Sequence, residues 1–217
     1  MTQMDTKQPE HETIYYKIRN MILFGDVYPG QPITILGLKS QLQAGMTPVR
    51  EAIRRLVAEG ALEALGNRRI CVPVMNLSKL EQIRLARAAI EPKLAFMAVQ
   101  HIDDHLIDEL KRIDQKLDEA IDQGDIHGYL QYNYEFHFCL YEAANASILY
   151  KLALSLWLQI GPSLRIVCGK NGTSNLPDMH KQLIRALASK DAPNAQEAIE
   201  QDILQGMLHV NQMLASE

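Results

Sequence analysis

The stretch LKSQLQAGMTPVREAIRRLVAEG, Leu38 to Gly60, decides the fold. One apolar helical pattern stops at Ala44–Gly45–Met46 and a second starts just beyond it. Thr47 is placed to cap that second helix. Pro48 suits its first position, where a missing N–H costs nothing. Val49, Ile53, Leu56 and Val57 form the helix's apolar face. Arg50 and Arg54, four residues apart, share another face, with Arg55 beside them. Gly60 supplies the stop.

Working outward, Ile14, Ile18, Met21 and Ile22 have helical spacing, and Gly25 ends the run. The segment GDVYPGQPITI is a turn-rich connection closing on a short strand, Ile33–Ile35, followed by a short helix over Leu36–Gln43. After Gly60, ALEAL and RICVPV read as two strands joined by Gly66–Asn67–Arg68–Arg69, a hairpin with a basic tip. Helix, strand, helix, turn, helix and basic hairpin in that order make a winged helix-turn-helix over residues 1–75. Such a unit places its second turn-linked helix in a DNA major groove, so Arg50 and Arg54 are candidate base or phosphate donors. Thr47 sits where free backbone N–H groups favour phosphate. Arg68 and Arg69 are placed for an adjacent groove or backbone. The plainer alternative is a small helical domain with a solvated charged face.

YPGQPITILGLKSQLQAGMTPVREAIRRLVAEGALEA resembles the DNA-binding region of the GntR family of bacterial transcription regulators, through its PG, its TPVREAIRRL and its EGALE. The resemblance spans residues 13–75. It implies that Arg50 contacts DNA, supported by Thr47, Arg54 and the wing. Gly45–Met46 stands where that family usually has Ser-Arg, and Arg69 replaces an expected wing glycine.

Composition agrees with two regions. Of 217 residues, 47% are hydrophobic, enough for real cores. The net charge of −4 is uneven: residues 1–75 carry nine Lys/Arg against seven Asp/Glu, and residues 76–217 carry thirteen against nineteen. Cysteines at 71, 139 and 168 form no CxxC pair, which excludes a disulfide framework and fits a reducing cytoplasm. No apolar run reaches the roughly 18 residues of a membrane span.

Beyond a linker at Met75–Asn76 the pattern is helical throughout, so the fold class is mainly α. Residues 76–217 are expected to form an all-helical bundle. Ser78 and Glu81 have capping-box spacing. Helices are expected near 78–101, 103–123, 126–145, 147–169, 177–190 and 193–215. Asn133 and His137 share a helix face. His180 and Asp202 lie at similar distances either side of a turn at Lys190–Pro193, which brings them level on antiparallel helices. This set of imidazole, carboxylate and amide suits Zn, Ni, Mn or Fe. The alternative is two buried histidines hydrogen-bonded to Asn133 and Asp202. Arg87 and Arg165 lie on apolar stripes, and a buried guanidinium demands an anionic partner. A ligand carboxylate would serve, or, for Arg87, Glu91 four residues on. Arg84 and Tyr134 are further effector-pocket candidates.

RAAIEPKLAFMAV, EFHFCLYEAANASIL and HKQLIRALASKDAPNAQEAIEQDI resemble, in order and spacing, the ligand domain of the FadR subfamily, called FCD. That family usually holds a metal with Asp, His, His, His. Here Asn133 and Asp202 take the first Asp and third His positions. The resemblance implies a DNA-binding regulator whose operator affinity responds to a small anionic metabolite, a carboxylate above all. It would act as a cytoplasmic homodimer on double-stranded DNA, with no membrane partner. Two alternatives come from other classes. One is a metalloenzyme using His137, His180 and Asp202. The other is an interaction module that has lost DNA binding.

Overall fold

The structure is a computed structural model describing residues 10–65, 69–165 and 178–216. Helix α1 (Glu10–Leu23) buries Ile14, Ile18 and Ile22 at intervals of one turn. These pack on the face of α3 (Met46–Ala58) made by Val49, Ile53 and Leu56, with Leu38 of α2 (Ile35–Leu42) below. Strands β1 (Pro32–Thr34), β2 (Glu63–Leu65) and β3 (Arg69–Cys71) form an antiparallel sheet in the order β1–β3–β2. Pro32 and Glu63 both stand opposite Cys71. Only β3 faces inward, through Ile70 and Cys71, which suits a wing with one wet side.

The turn between α2 and α3 lies at residues 43–45, one residue before the expected Ala44–Met46. Its left-handed residue is Gln43 (φ 50°), whose backbone N–H caps α2, whereas Gly45 is extended (φ −68°, ψ 156°). A Cβ on Gly45 would meet Pro48 Cδ at 3.3 Å, so close approach of the ring explains the small residue better than conformational freedom does. Helix α3 begins one residue before Thr47, and Gly45 is its N-cap with no side-chain hydrogen bond. Thr47 is therefore not the cap; the Gly45 N–H donates to Glu10 Oε1 at 3.4 Å, and the N–H groups of Met46 and Thr47 meet no side-chain acceptor among the described residues. Gly60, at φ 73°, ends α3 as expected.

The second unit comprises α4 (Leu77–Ala98), α5 (Asp104–Gln123), α6 (Ile126–Ala143), α7 (Ser147–Leu164), α8 (Met179–Ala188) and α9 (Ala192–Ser216). Its core is drawn from every helix, with Leu94, Leu110, Phe136, Trp157, Leu183 and Ile199 all deeply buried. Asp103, Asp125 and Asp178 cap α5, α6 and α8 through side-chain acceptors. The cap of α4 is Asn76, whose Oδ1 accepts from the Lys79 N–H at 2.9 Å, and not Ser78. The chain enters the helix two residues earlier than the capping-box spacing implies. Asn76→Ala is expected to cost about 1 kcal/mol. Ser78→Ala is expected to change stability by less than about 0.5 kcal/mol. Urea unfolding of the two variants checks the assignment, and equal losses would refute it.

The boundary near residue 75 is bridged by α7. Leu158 belongs to the apolar core of the winged helix, although it lies in the helical half of the sequence. Leu23 packs against Gly161, Gln159 lies over Gly60, and Phe24 meets Tyr134 edge to face at 5.9 Å.

Candidate functional site

Helix α3 presents Thr47, Arg50 and Arg54 to solvent, and Arg69 is exposed on β3. Arg68 lies outside the described residues. Arg54 pairs with Glu51 at 3.1 Å on an open surface, a contact that water largely screens. Arg50 has no ion-pair or hydrogen-bond partner among the described residues. Arg55 turns elsewhere: its guanidinium carbon lies 3.7 Å over the Tyr15 ring, and its Nε donates to Glu59 at 2.9 Å. Arg50 is thus an exposed cation of α3 without a described partner in the fold, near the end whose backbone N–H groups favour phosphate.

The helical unit encloses a cavity of about 360 Å³ with walls from α4 to α9. Asn133, His180 and Asp202 line it, and His137 lies directly behind them. The sequence-based set from α6, α8 and α9 therefore converges. His137 Nε2 lies 3.4 Å from His180 Nε2 and 3.2 Å from Asp202 Oδ2, and His180 Nε2 lies 3.6 Å from Asp202 Oδ1. Atoms bound to one ion at about 2.0–2.2 Å stand roughly 3.0–3.6 Å apart, so the spacing fits a shared cation.

Proton accounting points the same way. Tyr141 donates its hydroxyl hydrogen to Glu91 Oε2 at 2.8 Å, so its oxygen can only accept from His137 Nδ1, 3.0 Å away. Asp114 Oδ1 accepts from His180 Nδ1 at 3.2 Å. Both Nδ1 atoms thus carry a hydrogen, and both Nε2 atoms face each other and the Asp202 carboxylate. Two nitrogens and a carboxylate so placed call for positive charge among them, which a metal ion or a proton on His180 Nε2 supplies. Outer partners that fix the ring tautomer are what a metal-binding imidazole needs.

The two rings differ in their electrostatics. Burial pushes the His137 imidazole down, keeping it neutral. Burial also disfavours charge on His180, but Asp114 and Asp202 outweigh it and raise that ring. For Asp202, burial works upward, and His137, His180 and Arg87 overcome it and hold the carboxyl at about 2. Burial, reinforced by Glu91, pushes the Tyr141 phenol well above its ordinary value, so it remains an O–H donor.

The candidate effector residues separate. Arg87 lines the cavity at 3% exposure, yet Glu91 takes its Nε at 2.6 Å and its Nη2 at 2.9 Å. The fork expected to hold a ligand carboxylate is occupied from within its own helix. Arg165 does not line the cavity; its guanidinium carbon sits 4.4 Å over the Tyr28 ring, at the junction with the winged helix. Arg84 is on the outer face of α4, paired with Glu81 at 2.6 Å. Tyr134 is stacked on Phe138 at 4.3 Å and packs against both cores rather than the cavity. These three follow local packing: α4 turns Arg84 outward three residues before it turns Arg87 inward, and Tyr134 is one residue past the cavity face of α6.

Two residues at the site, Asp114 and Trp157, carried no assignment from the sequence. Asp114 follows Leu110 and Ile113 and precedes Leu117, all buried on α5, so a carboxylate on an apolar stripe was the available signal. Tyr141 is one turn beyond His137 and links it to Glu91. Trp157 gave no sign beyond an apolar position. Two other carboxylates of α6 lie apart from this cluster: Glu135 accepts from Gln131 at 2.8 Å, and Glu142 is exposed.

Comparison with known proteins bears on the whole chain. Residues 82–205 match the FCD domain family, and residues 10–72 match the family described as "Bacterial regulatory proteins, gntR family". The HTH-type transcriptional regulator McbR of Escherichia coli K12 is 26% identical over 193 residues, 88% of this chain and 87% of its own. The HTH-type transcriptional repressor GlaR of the same organism is 24% identical, over 93% of this chain and 96% of its own. The solved structure of E. coli McbR/YncC has the same fold, with a TM-score of 0.86 at 24% identity over 95% of this chain and 99% of that one. The winged helix and the six-helix cavity domain each match a known family in chain order: the chain belongs to the GntR family of bacterial transcription regulators, in its FadR-like branch with an FCD domain, and is a DNA-binding regulator rather than an enzyme.

Proposed function

We propose that this regulator carries a divalent metal on His137, His180 and Asp202, with Asn133 adjoining, and that a small metabolite with an oxygen donor reaches that metal through the cavity. The observation that supports the reading is the convergence of two imidazole Nε2 atoms on one carboxylate, with both Nδ1 atoms already engaged by Tyr141 and Asp114. A bound ion would offer the ligand a Lewis-acidic contact. Zn, Ni, Mn and Fe all suit two nitrogens and oxygen. Arg87 acts here by neutralising Glu91 and supporting the indole of Trp157, 4.6 Å away, instead of gripping the ligand with its fork.

The protein acts as a cytoplasmic homodimer on a pseudo-palindromic duplex, each recognition helix reading one half-site. No helix among the described residues is long and apolar enough to cross a membrane. Ligand binding alters DNA affinity only if it favours one domain arrangement over another. Helix α7 provides a short route: Trp157 lines the cavity, and the next residue, Leu158, lies in the winged-helix core.

Elemental analysis of protein purified without chelator tests the metal. About one equivalent is expected per chain, falling below a tenth in the His137→Ala/His180→Ala double variant. At an ion concentration one hundred times Kd, the metal should stabilise the fold by about 2.7 kcal/mol, seen as a higher Tm than after EDTA treatment. Wild-type protein without metal, showing no Tm response to any of the four ions, would refute the assignment.

A further inference from the structure

We infer that the ligand of this cavity is amphoteric. An oxygen acceptor takes the indole N–H of Trp157 in the depth of the cavity, and a cationic group of the ammonium class sits at the mouth among Asp118, Asp122 and Asp178. The inference rests on reading the cavity as the effector site.

Two independent features carry it. The first is Trp157, which lines the cavity at 2% exposure and whose Nε1–H meets no acceptor among the described residues. A buried N–H without a partner is uncommon and costly. The groups packed on this indole do not meet the need. The Arg87 guanidinium, 4.6 Å over the ring, has only donors. Phe138 and Tyr134 present ring faces and edges at 5.7 and 6.0 Å. The His137 ring, 4.9 Å away, has its free lone pair turned toward His180 and Asp202. The missing acceptor therefore comes from what fills the cavity.

The second feature is charge. Five aspartates and one arginine line the cavity, and that arginine is neutralised by Glu91. Asp118 and Asp178, at 48% and 40% side-chain exposure, mark the mouth and share a single lysine, Lys181, at 2.8 and 2.7 Å. Asp122, also at the mouth, has no ion-pair partner among the described residues. Even a divalent ion on His137, His180 and Asp202 leaves this mouth negative. A ligand that is only an anion meets like charge on entry. One that carries its carboxylate inward and an ammonium outward satisfies both ends.

Three probes of matched length separate the possibilities: 5-aminopentanoate, pentanoate and pentylamine. Trp157 is the chain's single tryptophan, so its emission reports occupancy of this cavity without a label. Metal-loaded protein should bind 5-aminopentanoate with a Kd about tenfold below that of either single-charge probe. Asp118→Asn/Asp122→Asn, on the exposed mouth, should erase the advantage over pentanoate while leaving Tm unchanged. Trp157→Phe, followed by titration calorimetry because the fluorophore is gone, should weaken 5-aminopentanoate about tenfold, with circular dichroism confirming the fold. Equal or tighter binding of pentanoate overturns the inference, as does unchanged emission with all three probes. Operator binding measured on the same samples keeps the outcomes apart. If it persists, regulation by DNA binding stands while the ligand class falls; if untreated protein ignores its operator, the broader reading falls first.

Discussion

Arg50→Ala is expected to lower operator affinity by roughly 5- to 150-fold per half-site, the worth of one good bidentate base contact. The reason is what Arg50 does not do. Its neighbour Arg55 is committed to Tyr15 and Glu59, and Arg54 is tethered to Glu51. Removing Arg50 removes no described contact within the fold, so Tm should hold to within about 1–2 °C. Arg54→Ala should weaken all duplexes alike and flatten the salt dependence by about one counterion, as expected of a phosphate contact. Arg55→Ala should show the opposite pattern, with lower stability and little change in sequence preference. Anisotropy of a labelled promoter duplex at several salt concentrations resolves the three. Unchanged operator affinity in Arg50→Ala would remove α3 from base recognition.

These assignments show where sequence sufficed. The winged helix was legible because each element carries its own local signal: one-turn spacing in α1, the apolar face of α3, Gly60 at its end. The turn at Ala44–Gly45–Met46 was placed to within one residue, but its backbone conformation was not legible. Only the structure reveals that Gln43 adopts the left-handed conformation while Gly45 avoids Pro48. In the bundle, Asn133 and His137 were legible from their shared face, and His180 and Asp202 from symmetry about a turn. Asp114 and Tyr141 act through those histidines from other positions, and no spacing rule joins residues 66 apart, as Asp114 and His180 are. Arg84 and Arg165 illustrate the converse. An arginine on an apolar stripe is consistent with a buried ligand contact, an outer salt bridge or an aromatic face, and only tertiary packing separates these. The same limit applies to Leu158, a helical-domain residue by sequence and a winged-helix core residue by contact.

Glu91→Ala is expected to destabilise the protein by about 3–5 kcal/mol, because it strands the Arg87 guanidinium in the interior. The pair is 3% and 0% exposed, and Tyr141 donates to the same carboxylate. Removing Glu91 therefore leaves a charge without its counter-ion and a buried hydroxyl without its acceptor. At roughly 2–4 °C per kcal/mol for a chain of this size, Tm should fall by about 6–20 °C. The loss should reach the metal site as well. Without Glu91 the Tyr141 hydrogen is free to turn toward His137, competing with the Nδ1–H that fixes that ring, and a broken outer partner typically weakens metal affinity about 10- to 100-fold. Glu91→Gln separates the two effects. It keeps an acceptor for Tyr141 but not the charge, so it should lose stability while retaining more of the metal affinity. Arg87→Met/Glu91→Leu completes the test, since replacing both ions by apolar groups of similar volume is often neutral or stabilising. Thermal unfolding followed by far-ultraviolet circular dichroism, with and without added metal, reads all three. If Glu91→Ala unfolds within 2 °C of wild type, the Arg87–Glu91 pair is not holding α4 against the cavity, and the coupling from α4 through Tyr141 to the metal ligands fails with it.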